Sequence, residues 1–492
     1  MNRPMIYTVS RDSLMAEQAR GVAVLDHGIN ARAFRSAKEA QEYRDRTGED
    51  VTEIQVFGPL SMVEEAVGLF PGVSVRQGAS DGRVPKKQPE NFLYKLLERV
   101  QFYLSNYGLR QFWVFMTHML MRGFHGFMKC FGVDVVYFRW YVGRIGHLAY
   151  NTQTFMNSMS KYRRKLLIGL RDDGAANLTL QKMWGRLFTK VMSGDRWRRV
   201  FDHVGLRRLK YYRATAWYGD AHVPAQTQDW RRHVYFTDEE IAMGEASLRR
   251  MGVPEGAEFV CVHARDPAYL DTIAPGADWS YHDFRDCNID NFRLAAEYLT
   301  TKGLYVIRLS QVAEKPFVVE GNEKVIDYAS LYRTDFMDIY LMAKCLFLLG
   351  SCSGVAQVST IFGRPVAMTN WVHCELMTCF REGDLLIPKR HVRYGEEMSL
   401  REILDTGAGR LIKGERYVEH GIELIENNPA EILGLAVEML ERVRGRWEWS
   451  IQEREMVGKF RSIIDRGGLL CHGSPVMIGW HYAKKNAGWL EG

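Results

Sequence analysis

Residues 259–266 read FVCVHARD: an apolar strand that ends in an imidazole, a guanidinium and a carboxylate. His263, Arg265 and Asp266 are types that bind anions or move protons. Alternation along a strand puts polar side chains on one face. It does not explain why they gather at the carboxyl end, which in open α/β sheets is where ligands bind. Other strand ends carry comparable groups. LYVIRLS supplies Arg308 and Ser310, LFLLG runs into GSCSG at residues 350–354, and RPVAMTN supplies Thr369 and Asn370. GSCSG leads into a helical pattern, so Ser351, Ser353 and the backbone at Gly354 are expected at a positive helix terminus that favours anions. Gly354 lets a ligand approach the backbone. The planar fork of Arg265 suits phosphate oxygens. Together these residues predict a diphosphate site. The plainer alternatives are a structural ion pair for Arg265 and a simple tight turn for GSCSG.

What kind of diphosphate is narrowed by missing patterns. Neither GxxxxGK[ST] nor GxGxxG after a strand occurs, which argues against a P-loop nucleotidase and an ordinary dinucleotide enzyme. No two aspartates stand two apart, so a metal-holding D-x-D is missing too. Cationic side chains and helix dipoles would have to take up the charge, and no metal or cofactor is expected. His373, Cys374 and Cys379 have an H-C-x4-C spacing without a fourth zinc ligand.

The elements that must position these residues follow from the pattern. At 492 residues the chain suits two or three domains. A hydrophobic share of 46% and a charged share of 25% are those of a globular protein, and a net charge of +6 is too mild to imply nucleic acid. Residues 1–90 read as a small α/β appendage, with a polar helix in RSAKEAQEYRDR and a strand in VTEIQVFG. A Gly- and Pro-rich linker spans 78–91. Residues 91–235 contain the strands VDVVYF and KLLIGL, the loop GRIGHLAYN and a basic run from Lys161 to Arg213. That run is expected to be solvated or to meet an acidic partner. From 236 to 450 strands alternate with helices of βαβ type, which means a parallel sheet. Thr237 and Glu240 form a capping box, Thr334 or Asp335 caps a helix, and Pro429 opens another. Residues 451–492 are expected to pack back on the N-terminal half.

No apolar leader segment is visible in MNRPMIYTVSRDSLM, and the eight scattered cysteines suit a reducing, cytoplasmic setting. The stretch 112–133 is the nearest to a membrane span. Arg122, His125 and Lys129 interrupt it, so a buried or interfacial helix is expected, the second implying peripheral contact with a membrane.

The segments VHARD, YHDFRDCNIDNFRLAAEYLTTKGLYVIRLS, LLGSCSGVAQVSTIFGRPVAMTN and DLLIPKR together resemble a bacterial family of GT-B glycosyltransferases known mostly from sequence and associated with surface or flagellar glycans. The H-x-R of His263 and Arg265 is also similar, more remotely, to the fucosyltransferase-type motif whose arginine contacts the donor's phosphates. The resemblance implies two Rossmann-like domains facing across a cleft, with a nucleotide-sugar donor held by the second. It implies Arg265 on the diphosphate, with His263, Arg308, Ser351, Ser353, Gly354 and Asn370 around the donor. GRIGHLAYN resembles the family's acceptor-side loop, which places Arg144 and Gly146 there. His147 is the first candidate base and Asp266 the second. The acceptor would be a glycan, a lipid-linked saccharide or a protein.

Other readings compete. GSCSG fits a cysteine version of the nucleophile elbow, with Asp384 and His391 downstream in hydrolase order. A sugar-nucleotide epimerase or a glycan-binding protein could use the same scaffold.

Overall fold

The computed structural model describes residues 116–117, 119–171, 174–193, 210–213, 231–268, 280–375, 380–466 and 473–491, together with short strands before residue 78. The chain divides into two compact units. One holds residues 1–122 and 199–208, the other residues 123–198 and 209–492. The division therefore falls beyond the linker expected at 78–91.

In the first unit β1 (Tyr7–Val9), β2 (Val22–Asp26), β3 (Ala31–Phe34), β4 (Glu53–Phe57) and β5 (Ser74–Gln77) form one sheet in the order β1-β3-β2-β4-β5. Its pairings are antiparallel except β4 with β5. The strand read from VTEIQVFG is β4. The helix read from RSAKEAQEYRDR lies outside the described residues.

The second unit contains two parallel sheets. In the smaller, β6 (Asp134–Arg139), β7 (Lys165–Arg171), β8 (Lys190–Ser193) and β9 (Lys210–Arg213) run in the order β8-β7-β6-β9. VDVVYF becomes β6 because its β-branched and aromatic residues can be buried on both faces, as a parallel strand requires. Helix α1 (Ile145–Ser158) follows β6, and α2 (Leu178–Gly185) follows β7. GRIGHLAYN is thus not a loop: apart from its first two residues it is the start of a 14-residue helix capped at Arg144.

The larger sheet holds β10 (Phe259–His263), β11 (Tyr305–Arg308), β12 (Val325–Ile326), β13 (Leu348–Ser351), β14 (Val366–Trp371), β15 (Leu385–Pro388) and β19 (Met477–Ile478). Their order is β12-β11-β10-β13-β14-β15-β19, all parallel. Its helices begin with α3 (Asp238–Arg250), α4 (Arg293–Thr301), α5 (Asp335–Lys344), α6 (Val355–Ile361) and α7 (Pro429–Val443). Thr237 and Glu240 make the expected capping box, Thr334 caps α5, and Asn428 caps α7 with Pro429 at its first turn. A small antiparallel sheet of β16 (Arg390–Arg393), β17 (Glu396–Glu397) and β18 (Ile422–Ile425) precedes α7.

The C-terminal segment departs from expectation. It forms α8 (Ile451–Ile464), β19 and α9 (Trp480–Lys485); β19 pairs with β15 and α9 packs on α7. The reason is apolar: Val476, Met477 and Ile478 are buried and extend the larger sheet at its open edge.

Between the two sheets, α1 packs on α6 and α2 on α5. Asn177 at the start of α2 donates to the Asp335 carbonyl (2.8 Å), and Leu178 N–H donates to the Asp335 carboxylate (3.2 Å). Two parallel α/β layers facing each other in this way make a GT-B-like arrangement. Among the described residues no helix is long and apolar enough to cross a membrane. Residues 119–130 are helical and expose Leu120, Phe124 and Phe127.

Candidate active site

The carboxyl end of β6 turns into α1, and that of β13 turns into α6. The two helices start against each other. A Cβ on Gly146 would lie 2.6 Å from the Cα of Gly354, so the second helical position of α1 has no room for a side chain. Beside this contact opens a cleft of about 180 Å³. From the smaller sheet it is walled by Arg144, Gly146 and His147. From the larger sheet come His263, Arg265, Asp266, Ser353 and Gly354.

A chain of hydrogen bonds fixes the strand tips. Val355 N–H donates to Ser353 Oγ (3.2 Å), and Ser353 Oγ lies 2.9 Å from His263 Nε2. His263 Nδ1 lies 3.0 Å from the Leu309 carbonyl, which can only accept. The network therefore assigns the ring proton to Nδ1 and the serine proton to Nε2. Burial holds the His263 imidazole down at about 4, so it stays neutral and can play this accepting role. Arg265 N–H donates to Ser351 Oγ (2.8 Å). The serine hydroxyls thus brace β10 against the turn after β13. They were expected to hold phosphate oxygens; of this turn, Ser353 and Gly354 line the cleft and Ser351 does not.

Arg265 reaches the cleft with part of its guanidinium engaged. It forms an ion pair with Asp286 and donates to the His282 carbonyl (3.1 Å). Asp266 also lies on the cleft wall, yet its carboxylate accepts from Ala268 N–H (3.0 Å) and Glu314 N–H (2.9 Å) and pairs with Arg308 at 3.9 Å. It anchors the loops after β10 and β11.

Two expected donor-binding residues lie elsewhere. Arg308 is fully buried, 3.3 Å from Asp327, and donates to the Lys315 carbonyl (3.1 Å). The face of β11 on which it ends is turned into the protein. Asn370 is also fully buried. Its backbone has a φ of 52°, and its side chain accepts from Asn427 N–H (2.8 Å) while its own N–H donates to Asn427 Oδ1 (2.6 Å). The register of β14 against β15 shifts between Met368 and Trp371, and Asn370 does not line the cleft.

His147 lies in the first turn of α1, its ring edge-on to Tyr141 with centroids 5.1 Å apart. Burial lowers its pKa to about 4. A hydrogen bond with Asn151 works against this, and the guanidiniums of Arg144 and Arg285 add to it. A neutral imidazole at that place can accept a proton.

Two cleft residues escaped sequence reasoning. Arg285 comes from the 3-10 turn Ser280–Arg285, which returns the chain to the β10 tip and also delivers Asp286 to Arg265. The run FRDC after the H-x-R strand was the available signal. Asp338 lies on α5, one turn past its cap, bonded to Tyr328 Oη (2.8 Å) and Arg333 (2.9 Å). Burial raises its carboxyl to about 6. Only the fold reveals that this turn of α5 borders the cleft.

The cysteine elbow does not assemble. Cys352 is buried, and burial raises its thiol. Asp384 accepts from the N–H groups of Val366 (2.8 Å) and Arg381 (2.7 Å), and His391 Nδ1 faces the Lys389 carbonyl at 3.1 Å. Neither bonds to the thiol. Of the zinc-like spacing, Cys379 lies outside the described residues. Among the described residues no three His, Cys, Asp or Glu side chains gather as a metal would need.

No protein-family model matches the sequence, and no curated protein does. Solved structures resemble it in part. A family 9 glycosyl transferase from Veillonella parvula aligns at 10% identity and a TM-score of 0.33, over 48% of this chain and 80% of that one. The iron-containing dodecameric glycosyltransferase TibC from enterotoxigenic E. coli aligns at 12% and 0.34, over 63% and 77%. The ADP-heptose lipopolysaccharide heptosyltransferase II of E. coli aligns at 10% and 0.30, over 48% and 84%. At such values no substrate or residue role passes to this chain.

Proposed function

We propose that this protein is a metal-independent glycosyltransferase that moves a sugar from a nucleotide-sugar donor to a glycan, lipid-linked or protein acceptor in the cytoplasm. One observation carries the reading: the tips of two parallel sheets converge on a cleft lined by three arginines, with Ser353 and Gly354 of the turn after β13 among its walls. The sequence resemblance to GT-B glycosyltransferases supports it.

In this reading the donor's diphosphate lies at Arg265 and the 353–354 backbone, and the acceptor hydroxyl lies at His147. His147 takes the hydroxyl proton as the acceptor oxygen bonds to the anomeric carbon. The bond from that carbon to the diphosphate oxygen breaks, and its electron pair stays with the phosphate. Asp266 is the weaker candidate base, because its carboxylate is already taken up by two backbone N–H groups.

A thermal-shift screen of the full chain against UDP-, GDP-, CMP-, dTDP- and ADP-sugars in EDTA tests the proposal. A donor at 100 times its Kd should stabilise the fold by about 2.7 kcal/mol. No shift with any nucleotide sugar would rule the reading out.

A further inference from the structure

Pairing the charges around the cleft leaves a remainder. Arg265 is matched by Asp286, Arg308 by Asp327 and Asp266, and Arg333 by Asp338. Arg144 and Arg285 also line the cleft, and among the described residues neither has a carboxylate partner. The Arg285 Nε is buried with no hydrogen-bond partner among the described residues, and the guanidinium carbon lies 5.9 Å from the centroid of the Phe284 ring. Arg144 and Arg285 border the same cleft. Both act on the imidazoles of His147 and His282, and both repel the Arg265 guanidinium.

Of the carboxylates at the cleft, Asp286 pairs with Arg265, Asp266 with Arg308 and Asp338 with Arg333, and Asp283 offsets part of the charge on Arg265. The guanidiniums of Arg144, Arg265 and Arg285 repel one another in the free protein. A donor's diphosphate brings negative charge on both phosphates and gains more as the glycosidic bond breaks. The unmatched positive charge is the complement of that ligand. Arg265 cannot supply it alone, since Asp286 already balances its charge.

We infer that Arg144, from the start of α1, and Arg285, from the turn beside β10, form a two-sided clamp on the donor's diphosphate and take up the charge of the leaving group. Arg265 orients the phosphates, and the ligand ties the two sheets together. This inference rests on the donor reading and adds the residues that carry the charge.

The test is calorimetric titration of the full chain with inorganic pyrophosphate in EDTA, for the wild type and for Arg144→Gln, Arg285→Gln and Arg265→Gln. The wild type should bind, and the first two variants should each bind at least about tenfold more weakly, with a shallower dependence on salt. Without ligand, those two should melt no lower than the wild type, because removing an unpaired cation relieves repulsion. Arg265→Gln should melt lower, because Asp286 loses its partner. If Arg144→Gln and Arg285→Gln bind pyrophosphate as the wild type does, the clamp is wrong while the donor reading stands. A loss of ligand-free stability like that of Arg265→Gln would make them structural and also overturn it. If the wild type itself ignores pyrophosphate, both ideas go.

Discussion

Gly146 and Gly354 bring the starts of α1 and α6 into backbone contact: a methyl on the first would sit 2.6 Å from the Cα of the second, and one on the second 3.0 Å from the Cα of the first. The contact fixes the spacing of the two sheets at the point where the cleft opens. Neither helix can shift alone, because α1 and α6 each follow a strand of a different sheet. Gly146→Ala should therefore cost about 1–3 kcal/mol of stability as the helices are forced apart. It should also weaken nucleotide-sugar binding, while Gly354→Ala, with more room, should do less of both. Urea unfolding and donor titration of each variant check the order.

Arg265 and Asp286 are largely buried together, with side-chain exposures of 11% and 18%. From sequence alone, Arg265→Ala should abolish transfer and spare the fold. The ion pair changes the second half of that expectation. Removing one partner leaves a carboxylate uncompensated, at a cost on the order of 3 kcal/mol. Arg265→Ala combined with Asp286→Ala should lose less stability than the sum of the single variants, and neither Arg265→Ala nor the double variant should transfer sugar. A double-mutant cycle by chemical denaturation measures the coupling; additive losses would dissolve the pair.

The His147 imidazole is held near 4 by burial and by Arg144 and Arg285, against an ordinary value of about 6.5. The folded value is the lower one. The stability this group contributes is therefore fully present above about 6.5 and is lost as pH falls toward 4. For activity, the acidic limb of kcat/KM reports the free enzyme and should lie near 4. A diphosphate against Arg144 and Arg285 cancels their push, so the limb of kcat should lie higher. NMR titration of the His147 ring with and without nucleoside diphosphate tests both points. A ring that titrates near 6.5 in the free protein would remove His147 from its half-buried place beside Arg144 and Arg285.

Much of the larger sheet was legible because its strands are short apolar runs separated by capped helices, as at Thr237 and Asn428. The convergence of His263, Arg265, Ser353 and Gly354 followed from strand tips sharing one edge. What the sequence hid was direction. Arg308 and Asn370 end their strands as Arg265 nearly does, but their side chains turn to Asp327 and Asn427. Alternation says that neighbours face opposite ways and leaves open which way is out. Arg285 and Asp338 were hidden because a 3-10 turn and one turn of a helix bring them to the cleft, and neither element has a strand-end signature.

Asn370 offers a clean separation of structure from binding. Its φ of 52° is tolerated by asparagine better than by alanine, and its exchange with Asn427 closes two buried hydrogen bonds. Asn370→Ala should lose about 1–3 kcal/mol. Donor affinity per folded molecule should be unchanged, by titration at a temperature where both proteins are folded.

The most direct measurement is the release of nucleoside diphosphate from a pool of nucleotide sugars by the full chain in EDTA, with water or a cell-envelope glycan extract as acceptor. The wild type should release the diphosphate of at least one donor, with sugar appearing on water or glycan, and Arg285→Gln should release far less. No release from any donor, or release only after Mn²⁺ is added, would contradict a metal-free sugar transfer in this cleft.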